Sequence, residues 1–150
     1  MTPQDGRDLV WSPTDAQPKL LTVINGARSS LLVENEEMGD STVIAALVGA
    51  AQRGVKVDVV MTDSGQYARE FTTLSRVGVQ VRTYSESATP YIHAKVILAD
   101  AGTAFIGSQN FSSSSLKRNR ELGLITSTPS VISGLQSTLS ADFAQAAPWS

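Results

Sequence analysis

The chain has 150 residues, 41% of them hydrophobic and 17% charged, with a formal net charge of −2 and no cysteine. That composition is globular rather than disordered, and the missing cysteines exclude disulfide staples, thiolate metal sites and a cysteine nucleophile. No apolar run reaches the length of about 18 residues that spans a bilayer. The segment from Met1 to Asp8 carries Asp5 and Asp8 and shows no apolar leader core. A non-specific nucleic-acid binder usually carries a basic excess, and here the acidic residues outnumber the basic ones. The one basic cluster, Lys117, Arg118 and Arg120, reads as a solvated helix end.

Hydrophobic periodicity predicts alternating elements. Lys19 to Ala27 reads as a helix and Ser30 to Asn35 as a buried strand, with Leu31, Leu32 and Val33 in an unbroken apolar run. Asp40 or Ser41 caps a helix through Arg53, which Gly54 stops. Val55 to Met61 is the next strand, Gln66 to Val77 a helix and Val79 to Tyr84 a further strand. This rhythm implies parallel pairing through right-handed crossovers. After a polar break ending at Pro90, Tyr91 to Ala99 and Thr103 to Ile106 form an antiparallel pair about the turn Asp100-Ala101-Gly102. Glu121 to Thr126 reads as a last strand and Pro129 to Phe143 as a closing helix. The expected fold is one α/β domain over residues 1–150, with a mixed, mostly parallel sheet flanked by helices on both faces.

The chemistry-bearing stretch runs from His93 to Glu121. His93 is the chain's single histidine, and on a strand it projects to the same face as Lys95. An ammonium beside an imidazole suits holding a phosphate against a nitrogen nucleophile or proton donor. The loop Gly107-Ser108-Gln109-Asn110 adds a glycine that lets backbone approach a ligand, then a hydroxyl and an amide that donate to phosphate oxygens. A helix beginning near Ser112 would add N–H groups to such an anion site.

The pattern His93-x-Lys95-(four residues)-Asp100-(six residues)-Gly107-Ser108-x-Asn110 resembles the HKD signature of the phospholipase D superfamily. The resemblance covers roughly residues 9 to 143. Val10-Trp11-Ser12-Pro13 and Glu34-Asn35 are similar to the second half of two-copy members, and Arg53-Gly54-Val55 to the usual helix-to-strand corner.

The resemblance implies a metal-independent and cofactor-independent phosphodiesterase working through a covalent phosphohistidine. One histidine attacks phosphorus and a second protonates the leaving oxygen. His93 is then either nucleophile or acid–base partner, with Lys95, Ser108 and Asn110 on the phosphate oxygens. Glu121 is read as a carboxylate orienting the other nitrogen of His93. Asp100 is read as a turn-former whose carboxylate caps backbone N–H groups, and Glu34 and Asn35 as lining the substrate end of the sheet.

Because the mechanism takes two histidines, the expected partner is a second copy in a homodimer or another motif-bearing half. The substrate reading stays divided. Asn119 to Glu121 is closer in style to nuclease-like members, whereas the acidic balance and Glu34-Asn35 favour phospholipids, and the balance falls on phospholipids. A non-catalytic phosphate-binding or scaffold half-domain is the reading of another class, and the intact His, Lys, Ser and Asn set argues against it.

Overall fold

A computed structural model describes residues 8–150, so most of the leader reading on residues 1–8 lies outside the described residues. The strands are β1 (Leu9–Ser12), β2 (Ser30–Glu34), β3 (Lys56–Asp63), β4 (Gln80–Ser85), β5 (Val96–Ala99), β6 (Thr103–Gly107), β7 (Glu121–Thr126) and β8 (Ala147–Pro148). The helices are α1 (Ala16–Gly26), α2 (Ser41–Gln52), α3 (Ala68–Ser75), α4 (Ser113–Lys117) and α5 (Pro129–Gln145). All eight strands form a single sheet in the order β1-β7-β6-β5-β2-β3-β4-β8.

The fold is α/β with a mixed sheet, and its pairing differs in balance from the expected one. Only β2–β3 and β3–β4 are parallel. The pairs β1–β7, β2–β5, β5–β6, β6–β7 and β4–β8 are antiparallel. Both parallel pairs are joined by helical crossovers, α2 and α3. The remaining strands reach the sheet through a tight turn or a long return, which permits reversal.

Each face has its own helices because strand side chains alternate. Leu31, Val33, Val57, Val59, Ile97 and Phe105 pack against Leu20 and Ile24 of α1, Val43 and Leu47 of α2, and Phe71 and Leu74 of α3. On the other face Val96, Leu98 and Ala104 meet Ile132 and Leu139 of α5. Beside them Val60 and Ile92 meet Ala146 and Phe143. Because α5 packs over the centre of that face, Leu122 and Leu124 of β7 stay exposed.

Local chemistry sets several boundaries. Asp40 is the N-cap of α2, its Oδ1 accepting from Val43 N at 2.9 Å. Gly54 follows the helix with a φ of +90°, where a Cβ would be strained. Arg53 Nη2 donates to the carbonyls of Ile24, Asn25 and Ala27, at 3.4, 3.3 and 3.1 Å, closing the end of α1. The β5–β6 turn carries positive φ at Asp100 and Ala101. The Asp100 carboxylate accepts from the backbone N–H groups of Arg28, Ser29 and Ser30 and from Ser29 Oγ. These donors hold its carboxyl well below the usual range, at about 2.

Glu34 is the opposite case. It is 2% exposed beneath α5, and its Oε1 has no hydrogen-bond partner among the described residues. Burial first, and the Asp142 carboxylate second, push it up to about 9.

The two carboxyls predict opposite pH dependences. Asp100 stabilises the fold above its ordinary value of 3.8 and loses that contribution as pH falls towards about 2. Asp100→Ala should therefore cost about 1 kcal/mol at neutral pH, the scale of an exposed cap, and less at acid pH. Glu34 is neutral in the fold, and its contribution, full below 4.5, is lost as pH rises to about 9. Glu34→Gln should lose less stability than the parent across that window. Thermal unfolding against pH measures both.

Candidate active site

The functional side chains converge at one end of the sheet, where β2 meets a parallel neighbour on one side and an antiparallel one on the other. There a cleft of about 530 Å³ is lined by Glu36, His93, Lys95, Ser108, Asn110 and Glu121, with Val96, Ile106 and Gly107 as part of its wall. A larger groove, about 760 Å³, lies by α5 and the β5–β6 turn, but Ser127, Ser133, Ser137 and Ser140 dominate its polar lining and it holds no ionisable group. The smaller cleft has the chemistry.

His93 and Lys95 do not stand on a strand as expected, because β5 begins only at Val96. They still meet. Lys95 Nζ lies 2.8 Å from His93 Nδ1 and 2.6 Å from the His93 carbonyl oxygen. Lys95 is buried while the imidazole is open to solvent, so the ammonium is fixed and the ring is presented to a ligand.

The carboxylate beside the histidine is not the expected one. Glu36, in the loop after β2, places Oε2 at 3.0 Å from His93 Nε2 and 3.1 Å from Lys95 Nζ. Glu121 Oε2 instead accepts a hydrogen bond from Ser115 Oγ, although Glu121 lines the same cleft. Ser115 Oγ also accepts from Asn110 N at 2.8 Å, so Glu121 braces the loop that carries Asn110 rather than the imidazole. Glu36 escaped the sequence reading because its spacing from His93 is set by sheet order, which no local pattern encodes.

Ser108 continues the β6–β7 pairing. Its N–H and Oγ both lie within hydrogen-bond reach of the Leu122 carbonyl, at 3.1 and 3.3 Å, and Leu122 N approaches Oγ at 3.3 Å. Asn110 differs, since its Oδ1 is buried and has no hydrogen-bond partner among the described residues. Helix α4 starts at Ser113, with Ser112 as its N-cap, close to the expected start. That helix has five residues, and Ser115 N is taken by the capping Ser112 Oγ at 3.2 Å.

Gly107 serves packing inside the protein. A Cβ there would lie 2.7 Å from Gly123 Cα and 2.9 Å from Phe105 Cζ, so the missing side chain lets β6 and β7 close over Phe105.

Glu34 and Asn35, expected to line the substrate end, are both buried. Asn35 organises the site from behind. Its Nδ2 donates to Gln109 O at 3.3 Å, while its Oδ1 accepts from Phe111 N and from Glu37 N, each at 3.1 Å. One amide thus brackets Asn110 on both sides and fixes the residue that follows Glu36. Gly39 N and Asp40 N complete the seam by donating to Phe111 O at 2.8 and 2.7 Å.

Residues 20–144 match the family described as cardiolipin synthase, PLD-like domain. The chain belongs to the phospholipase D superfamily. Cardiolipin synthase A of Pseudomonas aeruginosa is 29% identical over 145 residues, which cover 89% of this chain and 29% of that protein. A phospholipase D of Rickettsia prowazekii is 31% identical over 114 residues, covering 73% of this chain and 53% of the other. The chain thus spans less than a third of the synthase and about half of the Rickettsia protein.

Among solved structures, Nuc from Salmonella typhimurium, a phospholipase D family member, superposes with a TM-score of 0.84 at 26% identity. The match covers 94% of this chain and 95% of Nuc. NucT from Helicobacter pylori shares the fold with the same TM-score at 21% identity.

Asn35→Ala should cost about 2–4 kcal/mol, because it leaves buried Phe111 N and Glu37 N without their acceptor. Urea unfolding of the variant measures the loss, and a change below about 0.5 kcal/mol would contradict the bracketing role.

Proposed function

We propose that residues 1–150 form a single catalytic domain that hydrolyses phosphodiesters, with phospholipids as the substrate class. The observation that carries this reading is the meeting of the His93 imidazole with the Lys95 ammonium at 2.8 Å, in a cleft shared with Ser108 and Asn110. A phosphate seated there would exchange water for Lys95 and the Asn110 amide, whose attraction grows as charge accumulates on the non-bridging oxygens.

In the first step an imidazole nitrogen bonds to phosphorus, and the bond from phosphorus to the leaving alcohol oxygen breaks. A second histidine donates the proton that the alcohol takes away. Water then attacks phosphorus, gives its proton to that second histidine, and the phosphorus–nitrogen bond breaks. His93 supplies one of these two roles, and its chain has no other histidine. The second comes from another motif-bearing half or from a second copy, seated across the open cleft. The exposed Leu122 and Leu124 beside Glu121 give that partner an apolar footing.

The likeness to cardiolipin synthase A and to phospholipase D relatives supports phospholipids, as does the net charge of −2. One observation favours cleavage of nucleic-acid phosphodiesters instead, the stretch Asn119 to Glu121, which is closer in style to nuclease-like members.

His93→Ala should lower turnover of bis(4-nitrophenyl) phosphate by about a thousandfold or more, the scale of losing a nucleophile or a proton-transfer group. Unchanged turnover would sink the catalytic reading. A panel of phospholipid vesicles and single- and double-stranded DNA separates the two substrate classes. Release of a head-group alcohol supports the first. Cleavage of DNA, with binding that weakens steeply as salt rises, supports the second.

A further inference from the structure

The polar groups of Lys95 and His93 are fully engaged with Glu36 and with each other, and that bears on how substrate enters. A lysine ammonium has three N–H groups. Those of Lys95 are directed to Glu36 Oε2 at 3.1 Å, His93 Nδ1 at 2.8 Å and the His93 carbonyl at 2.6 Å. An imidazole that accepts at Nδ1 holds its proton on Nε2, and His93 Nε2 stands 3.0 Å from the same Glu36 oxygen. In this arrangement His93 has no free lone pair for phosphorus, and Lys95 has no free N–H for a phosphate oxygen. The Glu36 oxygen receives the two donors that a non-bridging phosphate oxygen would receive.

We propose that Glu36 is an exchangeable internal anion, holding the phosphate position beside His93 and Lys95 and setting how tightly a phosphodiester must bind to displace it. This rests on the phosphate-site reading above. A diester carries one negative charge, as the carboxylate does, so the exchange leaves the charge facing Lys95 unchanged. It also frees one Lys95 N–H and the Nε2–H of His93, both of which can donate to the phosphate oxygens. Glu36 is 28% exposed, so it can turn away without disturbing the core.

The adjoining groove is lined by Glu36, Glu37 and Glu86, with Tyr67 and Tyr91. A displaced Glu36 that turned into it would meet two further carboxylates. Their repulsion favours its return to Lys95 and His93 once phosphate has left. The displacement is therefore reversible, and Glu36 determines affinity without taking part in bond making.

The test uses the chain's single histidine. Its ring resonances are followed by NMR during titration with inorganic phosphate, in the parent protein and in Glu36→Gln. Phosphate should bind about 5-fold more tightly to the variant, the scale of one partly exposed ion pair. The KM for bis(4-nitrophenyl) phosphate should fall by a similar factor. Glu37→Gln, which removes a charge that touches neither His93 nor Lys95 and only eases the turn of Glu36 into the groove, should raise phosphate affinity by no more than about twofold. Equal phosphate affinity in parent and Glu36→Gln, or the same gain in Glu37→Gln, would overturn the role of Glu36 while leaving the phosphate site standing. A His93 ring that responds to phosphate in none of the proteins would overturn both.

Discussion

The site depends on a seam between two loops, and the seam depends on the Asn35 side chain. Its amide donates to Gln109 O and accepts from Phe111 N and Glu37 N. The loop that carries Glu36 and the loop that carries Asn110 come from strands separated by β5, so nothing in strand pairing alone fixes their distance. A buried amide can satisfy several backbone groups at once, and a buried backbone group left unpaired is costly. The result is a hydrogen-bonded floor beneath a cleft in which Lys95 is buried and the His93 ring stays open to solvent. Glu121 and Ser115 extend this floor by holding Asn110 N from the other side.

Much of the fold was legible because it rests on local rules. The caps at Asp40 and Ser112, the stop at Gly54 and the hairpin about Asp100 follow from side-chain chemistry that acts within a few residues. The strands Ser30–Glu34 and Glu121–Thr126 announce themselves by apolar content. The edge strands did not. Leu9–Ser12 and Ala147–Pro148 have no alternation long enough to mark them, and they exist because β7 and β4 offer unpaired edges. The prevalence of antiparallel pairing was hidden for a related reason, since the order of strands is decided by tertiary contacts.

The site divides along the same line. His93, Lys95, Ser108 and Asn110 sit at close spacing within one hairpin and its following loop, so a linear pattern reveals them. Glu36 reaches His93 across the β2–β5 pair, 57 positions away in the chain, and only the sheet brings it there. Glu121 was seen as a carboxylate of the site, but its partner was misjudged because the short α4 interposes Ser115. Asn35 shows the same limit. At a strand end it reads as lining the substrate end of the sheet, whereas it is completely buried beside the Met38–Phe111 bridge.

The placement of α5 has a consequence for how the chain acquires its structure. This helix starts after β7, on one side of the sheet, crosses over the centre, and delivers β8 to the far edge beside β4. β1, from the other end of the chain, pairs with β7 at the opposite edge. Both edges are thus closed by contacts between segments distant in sequence, and such contacts form slowly because a long loop must be ordered first. α5 finds its apolar contacts only where β2, β3 and β5 lie side by side, so the docking of the last helix is coupled to the assembly of the middle of the sheet.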